Sequence, residues 1–304
     1  MPVPLLVHAR PTLALWLGLM AGTVLANEAP SLDQVRNATI AGVFDRPVAL
    51  VNGVYEGELT VPDGAARPRL MLVGEPLALQ EFDGADGDAT AVLLSASSGG
   101  NGERIWLAVT GLRDGRAESL GAVLVGDRVR IRSLSTEGAD LVLEVVEAGP
   151  DDAACCPTQA ALKRYRLWDG GLTLTSDEVT GALSLALVAG TQWTLVEMDG
   201  EPLPDGVKPP TLEIKEGRLS GFDGCNRYMG KIEEPAPGQV AVGPLAGTRM
   251  ACPGPAMQLE QRFLEALGQA TRYDFLAGRL LLSGKDGEAE RRLLFAPGQA
   301  NANP

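Results

Sequence analysis

Histidine is all but missing from this sequence: 304 residues hold one, His8. Ser-His-Asp and Cys-His nucleophilic catalysis, His general-base chemistry and His-ligated zinc or haem all need that side chain. His8 itself lies in a segment with the pattern of a secretory signal. His8 and Arg10 precede an apolar run from Thr12 to Ala21, which continues weakly to Ala26. Val24-Leu25-Ala26 sets small or short apolar side chains where a signal peptidase reads. The run is too short and too Gly-interrupted to span a bilayer. No Cys follows it, so the lipobox of a bacterial lipoprotein is missing. Residues 1–26 therefore read as a signal peptide cleaved after Ala26, with a periplasmic or secreted mature chain that has no His. Long apolar runs are absent elsewhere, so no transmembrane segment is expected after cleavage.

Positive charge is scarce too. Lys and Arg number 26 against 39 Asp and Glu, a formal net charge of −13. Cleavage would remove Arg10 and no acid, leaving the chain more acidic still. Such a chain repels phosphate backbones, which argues against nucleic acid and anionic membranes as partners. Aromatic residues are only 5%, whereas Gly numbers 37, a mix that suits many short strands joined by tight turns.

Strand signals dominate what is present. Residues 27–45 carry Pro, Asp and Asn, with one short helix expected near Leu32–Asn37. Asn52-Gly53 lies between apolar runs and signals a hairpin, because both central positions of a type I′ turn need φ > 0. Short runs rich in Val, Leu and Ile follow at 69–73, 91–95, 105–110, 122–125, 129–134 and 141–147, punctuated by Gly, Asp and Asn. A last hairpin is expected over 165–175. With no long helix between 45 and 175, residues 27–175 are predicted to form an all-β sandwich or barrel domain. The composition shifts from polar to small and apolar over 176–189, which reads as a linker. Further strands are expected at 193–198, 211–216, 218–222, 239–243, 279–283 and 291–295. One helix is clear, with Pro255 in its first turn and Ala256, Leu259, Phe263, Leu264 and Leu267 on one face. Residues 298–304 are polar and small and read as a disordered tail.

Two segments carry a family resemblance. Gly221-Phe222-Asp223-Gly224-Cys225-Asn226-Arg227-Tyr228-Met229-Gly230 resembles the GCNxYxG signature of META (HslJ-like) domains. The run from Gly243 to Pro253, with Thr248-Arg249-Met250-Ala251-Cys252 intact, resembles the second signature. Met257 and Glu260 follow at the family's usual place in the helix, and Trp193-Thr194-Leu195 and Asp199-Gly200-Glu201-Pro202 match its opening strand and turn. The resemblance covers residues 190–297. It implies a mostly antiparallel, barrel-like sheet packed on one helix, and an association with bacterial heat-shock and envelope functions without a defined biochemical activity.

The four cysteines are Cys155, Cys156, Cys225 and Cys252. They are too few and wrongly spaced for an iron–sulfur cluster, and lack the paired spacing of structural zinc. In an oxidising compartment disulfides are the default. Cys225 and Cys252 lie in the two signature segments and are expected to pair. The competing arrangement joins one of them to Cys155 or Cys156. The adjacent Cys155-Cys156 pair has Cα atoms closer than the usual disulfide range, so a vicinal bond there would be strained and reducible. Two free thiols or a bridge elsewhere are the alternatives. The reading adopted is a vicinal bond forming a rigid turn before Pro157.

Phe82-Asp83-Gly84-Ala85-Asp86-Gly87-Asp88 is similar to the Asp-rich loops of FG-GAP-type repeats, which bind Ca²⁺. Ala85 stands where an oxygen ligand belongs, and an Asp- and Gly-rich turn needs no metal. No metal and no cofactor are expected. Asp151-Asp152 and Glu233-Glu234 are paired carboxylates of the kind a glycosidase uses, but adjacent acids in loops are usually solvated surface. Ser97-Ser98-Gly99-Gly100-Asn101-Gly102 lacks the Lys of a phosphate-binding loop.

The reading is an exported, non-enzymatic envelope protein, a stress-related binding module whose partner is an envelope protein or small ligand. A protease inhibitor or chaperone-like factor is the first alternative, a carboxylate-dependent glycan hydrolase the second. Asn226, Arg227, Tyr228 and Arg249 are expected to cluster beside the Cys225–Cys252 bridge. Asn226 would occupy a turn with φ > 0, Arg249 would pair with Glu260, and Tyr228 would cover the core edge with its hydroxyl in water. Alternatively, Arg and Tyr beside the bridge form a recognition patch.

Overall fold

The computed structural model describes residues 28–59, 66–85, 87–99, 102–153, 155–168 and 171–298. The signal segment 1–26, the tail beyond Gly298, Asp86, and the 169–170 tip of the last expected hairpin lie outside the described residues. Among the described residues no helix is long and apolar enough to cross a membrane.

The protein is mainly β, with nearly closed, barrel-like sheets in its N- and C-terminal regions. A one-turn helix, α1 (Leu32–Arg36), opens the described chain. Ser31 caps it reciprocally with Gln34, which satisfies two otherwise orphaned N–H groups. The first sheet follows as β1 (Thr39–Ile40), β2 (Val48–Ala49), β3 (Val54–Glu56), β4 (Arg69–Leu79), β5 (Ala89–Ser97), β6 (Arg104–Arg113) and β7 (Arg116–Asp127). Its strand order is β2-β1-β7-β6-β5-β4-β3. The two edge strands meet at the Asn52-Gly53 turn, where Val51 bridges Val54 and both turn residues have positive φ (53° and 87°). The expected turn is thus present, and it almost closes the sheet on itself. Val35, Ile40, Leu50, Leu70, Val92 and Leu94 fill the space inside.

The second sheet comprises β8 (Arg130–Glu137), β9 (Asp140–Glu147), β10 (Gln159–Trp168) and β11 (Gly171–Ala182), in the order β11-β10-β9-β8. It packs on the opposite face of β5 and β6, where Leu93, Leu107 and Val109 meet Leu141, Leu143, Tyr165 and Leu167. β5 is therefore buried on both faces, which explains a run of Val, Leu and small residues in place of a polar alternation. Its two buried polar side chains have local partners: the Thr90 hydroxyl donates to the Pro30 carbonyl, and that of Ser95 to Glu103. Gly121 lets β7 approach β11; a Cβ there would stand 2.6 Å from the Leu172 nitrogen. β11 also revises the expected linker, because residues 176–182 are strand and pair with 159–164. Their polar composition reflects an exposed edge strand. Across this pairing Lys163, 4% exposed, contacts Glu147 at 2.9 Å and Asp177 at 2.7 Å. Burial opposes its charge, but the two carboxylates more than offset that and hold its pKa above the ordinary value.

A short 3-10 turn, Leu185–Leu187, leads into the C-terminal sheet. There β12 (Trp193–Met198), β13 (Glu201–Pro202), β14 (Thr211–Lys215), β15 (Arg218–Phe222), β16 (Arg227–Glu233), β17 (Ala241–Val242) and β18 (Ala246–Gly247) precede α2 (Gly254–Gly268). After the helix come β19 (Ala270–Leu276), β20 (Arg279–Asp286) and β21 (Ala289–Pro297). The helix buries Leu259, Phe263, Ala266 and Leu267 against the sheet, with the Phe263 ring edge-on to both Tyr228 and Phe295. β19 lies in a stretch that the sequence pattern left unassigned; Tyr273 and Phe275 are its inward-facing residues.

The two halves meet through strand edges. β8 ends one sheet and β19 ends the other. The Gly278 N–H donates to the Ile131 carbonyl at 2.9 Å. Arg132 donates to the Leu187 carbonyl and lies over the Phe275 ring, while Arg130 pairs with Asp274 at 3.1 Å. Each edge covers groups the other would leave unpaired.

Candidate functional site

The turn between β15 and β16 is built by Asp223. Its Oδ1 accepts from the backbone N–H groups of Cys225 and Asn226, closing an Asx turn. Gly224 takes the positive φ, 108°, which Asn226 does not have. The expected left-handed role of Asn226 is therefore corrected. Once Asp223 and Gly224 form the bend, the next residue is free to point inward.

Asn226 is 2% exposed and its amide is fully used. Its Oδ1 accepts from the Thr248 hydroxyl and the Met250 N–H, both at 2.8 Å. Its Nδ2 donates to the Met250 carbonyl at 3.3 Å and to Glu260 Oε1 at 3.1 Å. One side chain thus joins the turn, the 248–250 segment and α2. The bridge between Cys225 and Cys252, with Cα atoms 5.9 Å apart, ties the same turn to the segment that leads into α2. Glu260 is therefore taken by Asn226, and the expected Arg249–Glu260 pair does not form. Arg249 is exposed and has no ion-pair partner among the described residues.

Tyr228 also departs from expectation. It is 2% exposed, and its hydroxyl donates to the Thr211 carbonyl at 2.8 Å instead of facing water. Burial, with Asp223 nearby, pushes its pKa well up, so it stays protonated. Gly221 makes this reach possible: a Cβ there would stand 1.9 Å from the Thr211 oxygen. The four residues thus divide. Asn226 and Tyr228 are interior, whereas Arg227 and Arg249 are exposed on segments that Thr248 joins by its bonds to Arg227. Asp223 and Thr248 were missed by sequence reasoning. The Asp-Gly pair was a local signal for the first; no local pattern points to the second.

Beside this turn, the outer face of β14–β16 forms a depression of about 490 Å³ lined by Lys208, Phe222, Arg227 and Met229. A second, of about 740 Å³, adjoins it through Glu213, Ser220 and Met229. Lys208 lies over the Phe222 ring, 4.8 Å from its centroid.

One member of each carboxylate pair takes a structural place. Glu234 accepts from the Tyr273 hydroxyl and the Leu185 N–H, fastening the connecting segment to the sheet. Asp152 accepts from the Gly149 N–H, the Thr158 N–H and the Thr158 hydroxyl, and these bonds lower its pKa. They frame the exposed loop carrying the adjacent Cys155–Cys156 bridge. Asp88 Oδ1 accepts from the Glu81 N–H, so this member of the Asp-rich loop closes a turn.

The META domain family model matches residues 185–298. This C-terminal third is a META domain. The match starts before Thr191 and takes in the 3-10 turn, whose neighbour Val188 accepts from the Trp193 indole at 3.0 Å. An NMR structure of a protein from Burkholderia xenovorans is 30% identical over 38% of this chain and 86% of its own, with a TM-score of 0.32. A second NMR structure is 26% identical over 35% of this chain and 87% of its own, with a TM-score of 0.29. No curated protein matches.

Proposed function

We propose that the protein is exported, is not an enzyme, and serves as a stress-related binding module of the cell envelope through its META domain. The observation that carries this reading is the division within the signature segments. Asn226 and Tyr228 spend their polar groups inside the fold, while Arg227 and Arg249 remain exposed on a frame held by the Cys225–Cys252 bridge. A rigid frame presenting Arg side chains that have no ion-pair partner among the described residues suits recognition, because little ordering entropy is lost on binding. Bridged cysteines fit an oxidising compartment, and cleavage after Ala26 would leave a chain without His.

Two measurements test this. Intact mass of the protein from a periplasmic fraction should correspond to a chain beginning at Asn27; retention of residues 1–26 would overturn export. The mature chain immobilised on resin should capture a component of envelope extract. Arg249→Ala should weaken that capture with the melting temperature unchanged. Equal capture would place recognition elsewhere.

A further inference from the structure

The outer face of β14–β16 is exceptional in this acidic chain. Register places Lys215 opposite Arg218, and Arg218 opposite Lys231, so three cations sit side by side across three strands. Like charges in direct cross-strand positions destabilise a sheet. At the other end of the face, Phe222 pairs with Arg227, and Lys208 lies over the Phe222 ring. None of these five cations has an ion-pair partner among the described residues. Only Glu213 and Glu216 oppose them along the two adjoining depressions.

We infer that this trough docks an extended acidic peptide segment of a partner protein, with acids at the first and fifth positions and an apolar residue at the third. The inference rests on the reading of the protein as a binding module. Along β15 the two cation clusters lie four residues apart, from Arg218 to Phe222, or about 13 Å at strand rise. In an extended peptide, residues i and i+4 face the same way with the same separation. Between the clusters the middle row holds Glu213, Ser220 and Met229. Met229 is 63% exposed and offers a polarisable surface to an apolar side chain. Glu213 repels an acid at that central point. A carboxylated glycan carries charge but has little apolar surface to cover Met229, so the middle row favours a peptide.

Fluorescence anisotropy on the full mature chain tests this with three labelled probes. The first is a peptide with Glu at positions one and five and Leu at three, the second has Glu at three as well, and the third is a carboxylated oligosaccharide of equal charge. The first should bind tightest, and Arg218→Glu should weaken it roughly tenfold, with a milder loss in raised salt. Failure of the first peptide to bind, indifference to Arg218→Glu, or tighter binding of the second peptide or the oligosaccharide would each overturn the proposal. Envelope capture run beside it separates the two readings. Capture by wild type that survives Arg218→Glu sinks the trough and spares the binding function, whereas no capture by wild type sinks the function itself.

Discussion

The two cysteine bridges stand in opposite settings. Cys225–Cys252 spans 27 positions, with Cys225 only 3% exposed, and joins a hairpin turn to the segment entering α2. Cys155–Cys156 joins neighbours in an exposed loop that Asp152 already organises through three accepted hydrogen bonds. The difference teaches that a cross-link matters through the chain it encloses. A long loop gives up much entropy in the unfolded state when closed, whereas adjacent residues enclose almost none.

Substitution of both Cys225 and Cys252 by Ala should give the largest effect. Loop closure over this length is worth about 3.5 kcal/mol in the chain-entropy model, to be read from urea unfolding of oxidised protein. Asn226→Ala comes next. It strands Glu260, the Thr248 hydroxyl and both polar groups of Met250, and should cost about 3 kcal/mol even with the bridge intact. If Asn226→Ala costs nothing beyond the loss of the bridge, the amide network is not an independent tie. Replacing Cys155 and Cys156 by Ser should change global stability by less than about 0.5 kcal/mol; a larger loss would erase the contrast.

The smallest effect is local and depends on pH. Asp152 has a lowered pKa in the fold, so its contribution is complete above the ordinary carboxylate range. It is lost only as pH falls through the lowered value. Amide exchange at Gly149 and Thr158 should therefore quicken in strong acid, while that at Cys225 follows global unfolding. In Asp152→Asn the step should vanish; its persistence would mean that another acid holds the loop.

Much of the fold was legible because its signals are local. Runs rich in Val, Leu and Ile between turn residues located β5, β6 and β9, and the spacing of Leu259, Phe263 and Leu267 located α2. Asn52-Gly53 marked a turn because few residues tolerate positive φ. The strand over 176–182 was hidden because an exposed edge strand has no need of apolar residues on its outer face. The site was less legible. Asn is a residue that turns favour, but Asp223 and Gly224 supply the turn here, and the Asn226 amide is left to bond Glu260.

The sequence alone determined the β-rich class, the turn positions, the META signatures and the cysteines available for pairing, because these depend on neighbours a few residues apart. Tertiary structure decided which partner each polar group obtained. Asn226 meets Thr248 and Glu260 across 22 and 34 positions, and Lys215, Arg218 and Lys231 form one row only through strand register. A one-residue change in that register would place the same side chains on the opposite face, so no local pattern could have specified the row.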